Sequence, residues 1–233
     1  STRGGRFLDC NQAMLELAGY QDKEEVLKID IAKDLYVNPE DRKTFQRLIE
    51  QQGFVKELEM EFIKKDGEKI TVLLTAHVKR DETGKVIRYE GINIDISDRK
   101  RMERELKEAN EFLMNLIESS VDGIIVTNMK GDILIFNKGA EDILGYKAEE
   151  VVGKMHIRNI YQPGVAKEVM DKLRSPDFGG VGKLNSFPIF HRRKDGEMIE
   201  GDLSASIIYD EDGREIASIG IFKDLRETLG TER

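Results

Sequence analysis

The residues in this chain that could do chemistry are few, and most of them lack the neighbours that chemistry requires. Gly179-Gly180-Val181-Gly182-Lys183 comes closest to a phosphate-binding loop, in which backbone N–H groups and a lysine cradle phosphate oxygens. That pattern needs a glycine five residues before Gly182 and a hydroxyl residue after the lysine; Asp177 and Leu184 stand there, so the stretch reads as a surface loop. Cys10 is the only cysteine, and a nucleophilic thiol needs a partner that lowers its pKa. Its place at a strand-to-helix junction instead suits a small buried residue. Three histidines and one cysteine cannot build a structural zinc site at ordinary spacing. No acid–base pair or activated nucleophile emerges, which argues against an enzyme.

A histidine of more interest, His191, becomes visible once the chain is seen to repeat. Gly5-Arg6-Phe7-Leu8-Asp9-Cys10-Asn11 returns 126 residues later as Gly131-Asp132-Ile133-Leu134-Ile135-Phe136-Asn137, and Gly19-Tyr20 returns as Gly145-Tyr146. Lys65-Asp66-Gly67-Glu68 returns 129 residues later as Lys194-Asp195-Gly196-Glu197, and Gly84, Gly91 and Asp95 keep that spacing to Gly213, Gly220 and Asp224. Pro39 matches Pro163, so the second copy carries its insertion in the loop-like stretch Ser175–Gly182. Laid over one another, the copies exchange Leu58, Met60 and Phe62 for Phe187, Ile189 and His191. On the following strand Val72 becomes Gly201, while Ile70, Leu74 and Ala76 match Ile199, Leu203 and Ala205. An imidazole gained and an isopropyl group lost on one face would leave an apolar cavity with a polar contact, the usual character of a small-ligand site. If either copy takes a small molecule, the expectation is therefore the second, in a pocket of Phe187, Ile189, His191, Ile199, Gly201 and Leu203. The plainer alternative is that His191 reaches solvent at a strand end and Gly201 eases a bend.

The elements that must position these residues follow from period and punctuation. Met14, Leu17 and Ala18, matched by Ala140, Ile143 and Leu144, mark a short helix with Asn11 or Asn137 as N-cap and Gly19 or Gly145 as its stop. Leu58, Met60 and Phe62 alternate with Glu57, Glu59 and Glu61, a half-buried strand. The Lys-Asp-Gly turn leads to an alternating strand through Val78, and Glu82-Thr83-Gly84 leads to a last one over Val86–Ile96. Pro188 within its strand implies a sheet edge, and Phe190 beside it is either a partner contact or covered by a flanking helix. The second copy opens with a strand at Gly123–Asn128; most of its counterpart is missing from the first copy. The fold class is α+β, with antiparallel sheets and short helices on one face.

Between the copies, Met102, Leu106, Ala109, Leu113 and Leu116 are spaced as a heptad seam, with charged residues around them and no Gly or Pro. A parallel dimeric coiled coil and a single amphipathic helix packing on its own sheet both fit. The predicted boundaries are 1–97 and 119–227 for the two domains, 98–118 for the linker helix, and 228–233 for the start of an output linker or tail.

Taken together these marks resemble the PAS sensor family, twice over nearly the whole chain. They are Asn11 and Asn137 after the second strand, Gly19-Tyr20 and Gly145-Tyr146, the helix start Asn38-Pro39-Glu40-Asp41, the Lys-Asp-Gly turn, and the exit Asp95-Ile96-Ser97-Asp98-Arg99-Lys100. The second copy departs at Tyr161-Gln162-Pro163-Gly164 and at its exit, Asp224-Leu225-Arg226-Glu227. The resemblance implies a five-stranded antiparallel sheet in each domain, cupped by helices around a cavity. It also implies a sensory role upstream of an output module in the parent chain, such as a histidine kinase, a diguanylate cyclase or a transcriptional regulator; a ligand-free dimerisation scaffold is the rival. It assigns Asp95, Ser97, Arg99 and Asp224 to the junction that passes a signal into the following helix. Light-sensing flavin members carry their cysteine motif on a central helix, where Cys10 is not. Haem-binding members place a histidine on the long helix, and 42–50 and 165–174 have none. Haem and light-sensing flavin are thus disfavoured, and the cofactor is left unknown.

Composition bounds the partners. With 37 Lys plus Arg against 45 Asp plus Glu, the net charge of −8 and the lack of a basic cluster disfavour nucleic acid. No apolar run approaches the roughly 18 residues of a membrane helix. The lone cysteine fits a reducing compartment. The chain reads as a cytoplasmic piece of a longer protein that is anchored, if at all, elsewhere.

Overall fold

The computed structural model describes residues 1–225 and divides into two units, Ser1–Glu108 and Ala109–Arg233. In the first unit α1 (Gln12–Ala18), α2 (Lys23–Lys28), a π-helical turn at Ile31–Leu35 and α3 (Pro39–Gln52) precede β1 (Phe54–Ile63), β2 (Lys69–Arg80) and β3 (Val86–Asp95). α4 (Ser97–Glu118) follows. The second unit repeats the plan: β4 (Gly123–Asn128), β5 (Ile133–Phe136), α5 (Lys138–Leu144), α6 (Ala148–Val151), a 3₁₀ turn at Ile157–Asn159 and α7 (Val165–Arg174) lead to β6 (Lys183–Arg192), β7 (Met198–Tyr209) and β8 (Glu215–Asp224).

The caps are where the sequence places them. Asn11 Oδ1 accepts from Met14 N at 3.0 Å and Asn137 Oδ1 from Ala140 N at 2.9 Å. Gly19 (φ 74°) and Gly145 (φ 77°) close their helices in the left-handed region that only glycine enters cheaply. α3 starts at Pro39 under the Asn38 side chain. Each sheet is antiparallel, ordered β1-β2-β3 in the first unit and β5-β4-β8-β7-β6 in the second. β6 is an edge strand, which accommodates Pro188, and Phe190 on it is exposed.

The first sheet has three strands rather than five, and the register says why. Ser1 N donates to Tyr89 O (2.7 Å) and accepts through its carbonyl from Tyr89 N (2.8 Å). This is the place Thr127 takes opposite Ser218, so Ser1 meets β3 where β4 meets β8. β5 pairs only with β4. Its counterpart, residues 7–10, has no strand to pair with and runs as irregular chain.

Each copy carries the same fault in its ladder. The register slips between Val55 and Leu58 on β1 and between Leu184 and Phe187 on β6. At the slips Glu57 (φ 53°) and Ser186 (φ 47°) adopt a conformation unusual for residues with a side chain. A bulge of this kind leaves a backbone donor unpaired; here the N–H of Glu57 donates to Thr75 Oγ1 (3.0 Å) and that of Ser186 to Ser204 Oγ (3.5 Å).

Candidate functional site

Each unit has a partly open cavity between one face of its sheet and the helices beside it. The second unit's cavity, about 210 Å³, runs from Thr127 and Gly131 past Tyr161, Val169 and Leu173 to Leu203 and Phe222. Its interior is apolar, with Lys130, His156 and Lys167 among the residues around it. Of the six residues expected to form a pocket there, Leu203 lines the cavity. Ile189, Ile199 and His191 are fully buried in the adjoining core, Phe187 packs against that core, and Gly201 makes room for the imidazole. A methyl group at Gly201 would approach His191 Nδ1 to 3.2 Å and the Lys223 carbonyl to 2.8 Å.

His191 therefore neither reaches solvent nor opens a void. It lies against Phe222 (ring centroids 4.3 Å apart) and Tyr161 (5.4 Å), and neither ring nitrogen has a hydrogen-bond partner. Burial holds its pKa down at about 4, with the nearby Asp224 carboxylate pulling weakly the other way. The neutral ring acts as a flat aromatic where the first unit has Phe62, which packs edge-on to Tyr36 at 4.9 Å. Phe222 takes the position of Asn93 and fills the space beneath the opening strand so closely that Gly123 has no room for a methyl. The first unit has a cavity of about 360 Å³, lined by Tyr36, Arg42, Phe45, Phe62, Leu74 and Asn93 among others. Cys10 borders it, and burial raises its thiol pKa, the wrong direction for a nucleophile.

The junction residues are held by a short relay. Asp95 Oδ1 accepts from Ser97 N at 2.8 Å, and Ser97 Oγ accepts from Thr71 N at 2.9 Å. Ile96 N donates to the Thr71 carbonyl (2.9 Å), and Lys100 Nζ pairs with Glu59 (2.8 Å). The first turn of α4 is thereby tied to β1 and β2. Arg99 pairs with Glu103 along the helix instead of joining this relay. At the second exit Leu225 N donates to the Glu200 carbonyl (3.3 Å), the counterpart of the Ile96–Thr71 bond, and Asp224 lies opposite Gly201. Arg226, Glu227 and the predicted tail fall outside the described residues.

The other end of α4 is gripped by a residue whose wider role the sequence hid. Asn137, fully buried, accepts from Ile124 N (2.7 Å) as well as Ala140 N, and donates to the carbonyls of Ile117 (2.9 Å) and Asp122 (3.0 Å). It thus joins the last turn of α4 to β4 and α5. Gly139 permits the close approach, since a methyl there would meet the Asp122 carbonyl at 2.3 Å. Along α4 no residue is buried; Met102, Leu106, Leu113 and Leu116 are exposed by more than half and Ala109 is exposed too.

Residues 1–98 and 121–227 each match the PAS domain family. Among curated proteins, the sensor protein FixL of Bradyrhizobium diazoefficiens is 27% identical over 160 residues, covering 66% of this chain and 30% of its own. The signal transduction histidine-protein kinase AtoS of Escherichia coli is 30% identical over 130 residues (56% and 20%). The probable diguanylate cyclase DgcE of the same organism is 26% identical over 196 residues (82% and 18%). The chain spans less than a third of the length of each of these relatives. Similar solved structures include a PAS domain of an HTR-like protein from Haloarcula marismortui, 27% identical over 54% of this chain and 98% of that one, with a TM-score of 0.44.

Proposed function

The chain belongs to the PAS domain family, and from that premise we propose that it is a sensory, non-catalytic region of a cytoplasmic sensor histidine kinase, which detects a small molecule or partner and relays the event through α4. The observation that carries this reading is the way α4 is held. Its first turn is hydrogen-bonded to β2 through Ser97, and its last turn to the core of the second unit through Asn137. A shift of either anchor would be felt along the helix. Between the anchors an apolar stripe faces solvent, and a second copy of the helix is the partner such a stripe fits. Signalling would then consist of a change in the register or splay of paired helices, driven by the preference of a ligand for one arrangement.

A diguanylate cyclase output is the second reading, favoured by the 82% of this chain that the cyclase relative matches. Native mass spectrometry of the purified chain, set against its denatured mass, tests the sensory proposal. A dimer with a reproducible extra mass is the expected result. A bare dimer would turn the reading to a ligand-free scaffold, and a bare monomer would remove the paired helix.

A further inference from the structure

The cavity of the first unit contains a charge that has no counter-charge among the described residues. Arg42 on α3 is only 5% exposed, and no carboxylate among the described residues pairs with it. Its Nη2 donates to Ser1 Oγ (3.3 Å) and to the Thr2 carbonyl (3.2 Å), and its guanidinium lies 5.0 Å from the Phe45 ring and 5.4 Å from that of Tyr89. Its Nε is buried without a hydrogen-bond partner. A buried cation is costly unless it is paired, and cation–π contacts offset only part of that cost.

A second orphan borders the same space. Asn93 on β3 uses its amide nitrogen on the weak acceptor Met14 Sδ (3.3 Å), while its Oδ1 is buried and unpartnered. The carboxylates at the cavity wall are already engaged, Asp9 by Lys23 and Glu90 by Arg88 and His77. Phe45, Phe62, Leu74 and Ala76 give the cavity an apolar wall, while Ser1 and Arg88 add polar groups beside Arg42. None of this polarity recurs in the second unit, where Ala166 stands in place of Arg42 and Phe222 in place of Asn93.

We propose that the first unit's cavity binds a small organic carboxylate, its anion held by the Arg42 guanidinium, its apolar body against Phe45 and Phe62, and a hydroxyl or amine donated to Asn93 Oδ1. A planar guanidinium matches a carboxylate two-fold, and a cavity of about 360 Å³ admits a molecule of that class. The assignment deepens the sensory reading and rests on it.

The test uses the full chain with 4-hydroxybenzoate and 3-hydroxybutyrate as probes, against 4-hydroxybenzamide and benzoate, by titration calorimetry and amide NMR. Saturable binding of the acids is expected, with shifts centred on Arg42, Phe45 and Asn93 and at least about tenfold weaker binding of the amide. Arg42→Lys, which keeps charge and stem but loses the fork, should weaken the acids by about tenfold. Asn93→Leu should remove the preference for 4-hydroxybenzoate over benzoate. Equal binding of acid and amide, or acid binding unchanged in Arg42→Lys and Arg42→Gln, would overturn the assignment. So would the absence of binding by any probe. Shifts confined to the second unit would overturn it while leaving the sensory reading intact, and the native mass measurement decides that reading independently.

Discussion

At the scale of single residues, the two copies show how one fold is re-equipped by exchanges that compensate one another. Phe62, Val72 and Asn93 in the first unit become His191, Gly201 and Phe222 in the second. The valine is given up so that the imidazole fits, and the new phenylalanine stacks on that ring. A buried neutral histidine makes stability depend on acid. Its pKa is depressed from 6.5 to about 4 in the folded state, so the unfolded chain binds the proton first. The second unit should hold its full stability above pH 6.5 and lose about 3 kcal/mol of it as pH falls toward 4. Thermal unfolding followed from pH 7.5 to 4 checks this; in His191→Phe, the part of the loss due to this site should vanish, and a wild-type curve flat across the window would refute the assignment. Asn137 is the other residue with consequences beyond its position. Asn137→Ala leaves the buried Ile124 N–H without an acceptor and takes one of two donors from each of the Ile117 and Asp122 carbonyls, so a loss of about 3 kcal/mol is expected in chemical denaturation of the second unit. The corresponding Asn11→Ala removes a single cap bond and should cost about 1 kcal/mol.

At the scale of elements, the strand bulges and the start of α4 are held by hydroxyl groups. Thr75 and Ser204 each satisfy the donor that a bulge sets free, in the same place in the two sheets. Ser97 does the equivalent for the junction, taking the Thr71 N–H while its own N–H is received by Asp95. Ser97→Ala should leave the first sheet folded and raise the amide exchange rate of residues 98–101 and 71 by about fivefold, which corresponds to roughly 1 kcal/mol for the lost bond from Thr71 N. Unchanged exchange at these positions would show that the relay does not hold the helix. The apolar stripe of α4 follows the same logic from the other side. None of the 22 residues of α4 is buried, and under the proposed pairing a second copy of the helix covers its stripe.

For the whole molecule, the expected state is a dimer made through that stripe. Leu106→Glu combined with Leu113→Glu should convert it to a monomer in sedimentation velocity, with far-ultraviolet circular dichroism of both sheets retained. Dimerisation unaltered by these changes would locate the contact elsewhere. The two units have separate cores, so calorimetry should resolve two transitions.

Much of this was written in the sequence because it depends on local rules. The offset of 126 and 129 residues between copies implied two domains, Asn and Gly marked where helices start and stop, Pro188 marked an edge, and the Asp95–Ser97 pair marked an exit. Such signals act within a few residues, and the backbone obeys them wherever it lies. The environment of a side chain is set by chain segments far away in sequence, and there only the tertiary structure decided. It closed the core around His191, which period-two alternation could place on a face but not at a depth. It turned Asn137 from a helix cap into the anchor of α4, through carbonyls of Ile117 and Asp122 that no local pattern announces. And it brought Arg42 from α3 and Asn93 from β3, far apart in sequence, to one cavity in the first unit, because burial and pairing belong to the packed volume and not to the order of residues along the chain.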